Sequence, residues 1–271
     1  MKKGFAVSAV LAVVCCLVMG CKGERVEMKP VRGIIEEAFG EDSAPDAVRD
    51  VMASLETDDR YELLLDDAEA DVKVWSLMRL SDEASAEGFG IMVAKAGKMT
   101  ALPNIHHGRQ PSARYDRGSQ TLWLACGEMG GTGVYVERLY ELRFKEDGRA
   151  SIVRSIEPYD VQQALCQRLF YSIDGQDVSL YDKDRKLACI TDTVTNMGGF
   201  DDDPVWIGEQ LRYDLSDGKI RLLCTPGLKY VTGLVLTYDA MPTIVVGVTF
   251  NADGSFALSD IETGKGPEIV D

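Results

Sequence analysis

The sequence predicts a mainly-β body with two short helices ahead of it. Two observations carry that reading. From about residue 61 apolar residues recur with a period of two, and four Asp-Gly pairs punctuate the chain at Asp147-Gly148, Asp174-Gly175, Asp217-Gly218 and Asp253-Gly254. A period of two places alternate side chains on one face of a strand, and Asp-Gly is a strong hairpin signal because such turns favour positive φ.

Taken in order, residues 22–29 are short and charged and read as a tether. Val31, Ile34, Ile35, Ala38 and Phe39 recur at helical spacing between Pro30 and Gly40, which act as start and stop signals. A second helix follows, with Ser43 as its cap, Pro45 and Asp46 in its first turn, and Val48, Val51, Met52 and Leu55 as its apolar stripe. The clearest strand runs from Val134 to Phe144. Val134, Val136, Tyr140, Leu142 and Phe144 share one face, whereas Glu137, Glu141 and Arg143 share the other, the expected pattern of an antiparallel strand with one wet side. A short helical insert is expected near Asp160–Leu169, with Val161, Leu165 and Leu169 on one side. The Asp residues of the four turns lie 27, 43 and 36 positions apart, too irregular for a strict repeat. The architecture expected is an antiparallel meander, an incomplete propeller or a sandwich.

Composition limits partners more than it names them. The chain carries 29 basic and 44 acidic side chains, a net charge of −15. That balance disfavours nucleic acid and anionic lipid headgroups, which would be repelled at long range. Cys126, Cys166, Cys189 and Cys224 form no CxxC pair; free thiols behaving as small apolar groups are expected, with a single disulfide as the competing arrangement.

Chemistry has few places to sit. The two histidines, His106 and His107, are adjacent in a loop-like stretch between Pro103 and Pro111, where Arg109, Arg114 and Asp116 could complete a small polar site. No HExxH or GxSxG accompanies them. Gly130-Gly131-Thr132-Gly133 resembles a phosphate cradle in composition but leads into a strand, so the helix amides that hold an anion are missing. Asp201, Asp202 and Asp203, followed by Pro204 and Trp206, form the most unusual acidic cluster. They lack the alternation of a calcium loop and read as a solvated turn, with Trp206 as an exposed aromatic able to stack on a sugar. Asp182 with Asp184, and Asn251 with Asp253, alternate for two positions only. Trp75 and Trp123 read as core. Neither a cofactor nor a metal is expected.

The amino terminus has the layout of a secretion signal: basic Lys2 and Lys3, sixteen uncharged residues from Phe5 to Gly20, then Cys21. Leu17-Val18-Met19-Gly20-Cys21 resembles the lipobox of bacterial lipoproteins, departing from it in having Val18 where a leucine is usual. The resemblance covers residues 1–21. It implies removal of residues 1–20, lipid on Cys21, a tether over 21–29 and one extracytoplasmic domain over 30–271. It also implies the cell envelope, and the outer membrane where there are two, because Lys22 is not the aspartate that retains such proteins. Removing Lys2 and Lys3 would take the net charge to 27 − 44 = −17. The function expected is a non-enzymatic binding or interaction domain with a protein or glycan partner. A carboxylate-dependent hydrolase of envelope or glycan material and a structural subunit of an outer-membrane assembly are the alternatives.

Overall fold

A computed structural model describes residues 29–30, 60–82, 85–102, 105, 107, 111–130, 134–175, 177–191, 200–207, 210–230, 235–236, 242–251 and 253–264. The two expected amino-terminal helices, Cys21 and the tether before Lys29 lie outside these residues. The described part is mainly β and largely antiparallel, as the period of two requires. Five strands, β1 (Lys29–Pro30), β2 (Arg60–Asp67), β3 (Val72–Asp82), β4 (Ser85–Lys95) and β5 (Lys98–Leu102), form one sheet in chain order. Ala96 and Gly97 turn β4 into β5, both at positive φ (50° and 70°), between the paired Lys95 and Lys98.

The chain continues through β6 (Ser112–Asp116), β7 (Thr121–Gly130), β8 (Val134–Phe144), β9 (Ala150–Ile156) and helix α1 (Pro158–Cys166). It then forms β10 (Leu169–Asp174), β11 (Asp177–Asp182), β12 (Arg185–Thr191), β13 (Phe200–Trp206), β14 (Gln210–Asp214), β15 (Arg221–Cys224), β16 (Gly227–Tyr230), β17 (Val235–Leu236), β18 (Thr243–Phe250) and β19 (Phe256–Gly264). An eight-stranded sheet runs β19-β18-β15-β14-β8-β7-β6, with β9 also on β8; β10-β11-β12 and β13-β16-β17 are smaller sheets. Helix α1 takes up the expected insert but stops at Cys166. Val161 and Leu165 are buried on it, and Leu169 is buried at the start of β10 instead.

The Asp-Gly turns form as expected, with all four glycines at positive φ, but in three different ways. At Asp217-Gly218 both residues are left-handed. At 147–148 and 253–254 only the glycine is: Gly148 donates to Lys145 O and Gly254 to Asn251 O, and each aspartate takes the amide of the next non-glycine residue, Arg149 or Ser255. These are three-residue loops in which the aspartate bonds its own backbone. At Asp174 the aspartate still belongs to the ladder, opposite Asp177, with Gly175 at positive φ after it.

Strand β8 departs from its expectation. Both of its faces are buried, because the sheet has an apolar layer on each side. Leu122, Leu124, Cys126, Tyr140 and Leu142 meet Val72, Val74, Ile91 and Val93 of β3 and β4. On the opposite face Trp123, Ala125 and Leu139 join Val161, Leu165, Leu180, Leu211, Leu222 and Val246. Glu137 and Glu141 therefore point into the second layer and not to water. Trp75 and Trp123 are core, as expected.

Candidate functional site

The residues expected to bear chemistry scatter. His107, expected in a loop-like stretch, is only 4 % exposed. Its backbone bridges to Gly88, and its Nε2 is hydrogen-bonded to Ser76 Oγ at 3.1 Å. A Cβ at position 88 would fall inside the imidazole, so glycine is what lets the ring lie against the sheet. Ser76 is fully buried beside it. A serine–histidine pair is the beginning of a nucleophilic site, but a nucleophile needs access, and this pair is sealed. His106 and Arg109 lie outside the described residues. Of the residues that could complete a polar site there, Arg114 donates to Leu215 O (3.2 Å) and Lys219 O (2.6 Å), and Asp116 caps its own turn through Gly118 and Ser119.

The acidic triplet, read as a turn, lies in strand β13. Phe200 pairs with Tyr230 and Val205 with Leu228, so five steps on β13 face two on β16, and the ladder bulges at Asp201, Asp202, Asp203 and Pro204. A proline without an amide opposes regular pairing there. Trp206 closes the strand at 40 % exposure, the exposed aromatic expected. Among the described residues no group of three or more His, Cys, Asp or Glu side chains could hold a metal ion. Gly130 ends β7 and Val134 begins β8, so the glycine-rich segment joins strand to strand.

Pattern reading missed Glu137, the carboxyl that burial raises furthest among the described residues. It is 5 % exposed, accepts from Tyr135 Oη at 3.0 Å, and accepts the Tyr213 amide on its other oxygen. Burial pushes its carboxyl up to about 7, against the pull of those two hydrogen bonds and of Arg212, whose guanidinium lies 4.6 Å from the Tyr135 ring centre. Across the β7–β8 ladder Glu137 faces Gly127, where a Cβ would enter the Tyr135 ring. Burial likewise raises Tyr135, Tyr213 and the Cys126 thiol. The signal was present as a carboxylate on a strand flanked by Tyr135 and Gly127, but its burial depends on the β14 pairing, which is remote in sequence.

Glu137 also completes a seam. Strand β14 joins β8 in parallel through two pairs only, Gln210 with Tyr135 and Leu211 with Val136. The carboxylate then takes the next outward amide of β14, that of Tyr213, where a backbone carbonyl would continue a ladder.

Two further buried carboxylates are held by arginines. Glu141 is gripped by Arg143 (3.0 Å) and by Arg154 from β9. Asp182, one of the two-position alternations, pairs with Arg168 (2.8 Å) and Arg185 (3.7 Å). Those arginines reach on to the carbonyls of Leu258, Ser259 and Ile261, covering the outer edge of β19. No disulfide links the described cysteines: Cys126 and Cys224 are buried thiols, Cys166 is half-buried, and Cys189, expected like the others to behave as a small apolar group, is exposed.

No protein-family model matches the chain, and no curated protein matches it. Among solved structures it is weakly similar to a xylan beta-1,4-xylosidase from Bacillus Halodurans C-125, with 12 % identity and a TM-score of 0.21, over 76 % of this chain and 44 % of that one. The chain thus spans less than half the length of that enzyme, and a likeness at this level transfers neither fold nor activity.

Proposed function

We propose that this chain is an extracytoplasmic lipoprotein, anchored through lipid on Cys21, whose β body is a non-enzymatic binding or interaction domain. One observation carries the second half. The buried groups best suited to acid–base or nucleophilic work are engaged in the fold itself: His107 with Ser76, Glu137 with Tyr135 and the Tyr213 amide, Glu141 with Arg143 and Arg154, and Asp182 with Arg168 and Arg185. Ion pairs and hydrogen bonds of this kind fix strand register in a core where an unpaired charge would be costly. The anchor rests on the lipobox-like segment and on the additive burial of acyl methylenes, roughly 0.8 kcal/mol each, so that several chains hold where one does not. Architecturally, a sandwich is the arrangement favoured among the three expected, because one apolar layer lies between the five-stranded and eight-stranded sheets. The outer membrane is the proposed location where a cell has two.

Two experiments test the two halves separately. Cys21→Ser should release the chain from the membrane fraction or leave it unprocessed; a processed, membrane-bound product would refute the anchor. A serine-reactive fluorophosphonate should leave Ser76 unlabelled in the folded protein, and stoichiometric labelling that His107→Ala abolishes would replace the binding reading with a hydrolase.

A further inference from the structure

Strand β9 has one partner, β8, and among the described residues no strand lies along its opposite edge. At the start of that edge the Ala150 amide is taken by Thr100 Oγ1 at 2.9 Å. Beyond it lie Ile152 and Val153, 43 % and 49 % exposed, adjacent apolar residues on a strand whose neighbours are wet. An open edge with exposed β-branched residues is a template for another strand, because its amides and carbonyls lack partners and its side chains offer apolar contact on both faces.

Charge selects the occupant. From Glu141 to Arg154 the chain has four basic residues (Arg143, Lys145, Arg149, Arg154) and three acidic ones (Glu141, Glu146, Asp147), a balance of 4 − 3 = +1 in a chain of −15. Glu141 is buried between Arg143 and Arg154, so the carboxylate lies inside while the guanidinium groups of Arg143 and Arg149 reach water. A second copy of this chain fits poorly. Antiparallel self-pairing centred between Ser151 and Ile152 would set Arg149 directly opposite Arg154, and like charges facing each other across a ladder are destabilising.

We infer that the free edge of β9 is a docking site for an extended acidic polypeptide segment, which would add as a strand with a carboxylate against the exposed Arg149. This names the partner class for the binding domain proposed above and rests on that reading; the peptide result is independent of whether lipid is attached, so failure of the anchor and failure of the site are separable.

The full chain, isotopically labelled, is titrated with an acetylated, amidated peptide of alternating Glu and Val, with its Lys/Val counterpart, and with the Glu/Val peptide N-methylated at alternate residues. The Glu/Val peptide should shift the amide resonances of Ile152–Ser155 and slow their exchange with solvent, and its affinity should fall about tenfold on raising salt from low to 0.5 M, as exposed charge pairs are screened. The Lys/Val peptide should bind at least about tenfold more weakly, and N-methylation, which removes edge donors, should cost a similar factor. Arg149→Glu, at an exposed turn, should weaken the acidic peptide without altering the thermal midpoint. Absence of binding, equal binding of the two peptides, indifference to N-methylation, or shifts confined to other strands would each overturn the inference. A concentration-dependent dimer protecting the same amides would overturn it in favour of self-pairing.

Discussion

Replacing Glu137 by Gln should change how stability depends on pH more than it changes the fold. In the folded protein burial raises the carboxyl from 4.5 to about 7, whereas in the unfolded chain it returns to the ordinary value. The folded state therefore binds this proton more tightly. Its contribution is fully present below about pH 4.5 and is lost as pH rises through about 7, since the native state alone holds the proton in that window. A shift of this size corresponds to about 3 kcal/mol at 1.36 kcal/mol per pKa unit. Gln keeps the length and one acceptor for the Tyr213 amide but carries no titratable proton. Urea unfolding at pH 4.5, 5.5, 6.5 and 7.5, followed by circular dichroism, should show the difference between wild type and Glu137→Gln moving by about 3 kcal/mol against the wild type as pH rises. Other groups titrate equally in both proteins and cancel. Parallel profiles would show that the Glu137 carboxyl is hydrated in the native state and would refute the reasoning from its burial.

Three further outcomes follow from the geometry. Asp182→Ala should cost about 3 kcal/mol in urea unfolding, because it leaves the Arg168 and Arg185 guanidiniums without their shared buried carboxylate; a loss below about 0.5 kcal/mol, the size of a surface pair, would contradict that. Gly88→Ala should destabilise by about 2 kcal/mol or more through collision with His107, and much of that loss should disappear in the background of His107→Ala, a coupling that a double-mutant cycle reads directly. A thiol reagent under native conditions should modify Cys189, whereas Cys126 and Cys224, buried and with their thiols pushed up, should react only on unfolding.

What could be read in the sequence alone was local. Period-two runs and Asp-Gly pairs placed the strands and turns, because strand alternation and positive φ are properties of a few neighbouring residues; Val161 and Leu165 announced α1 in the same way. The tryptophans were assigned correctly from their apolar or acidic surroundings, Trp75 and Trp123 inside and Trp206 half out. Tertiary structure decided the rest. Glu137 and Glu141 have the alternation of a wet face, and only the second apolar layer laid across β8 buries them. His107 looks like a loop residue until Gly88, nineteen positions earlier, makes room for its ring. Asp182 looks like half of a cation loop until Arg168 and Arg185 close on it. In each case the deciding contact lies on another strand, and the energy of a buried charge is set by the partners and solvent around it, which spacing along one chain does not encode.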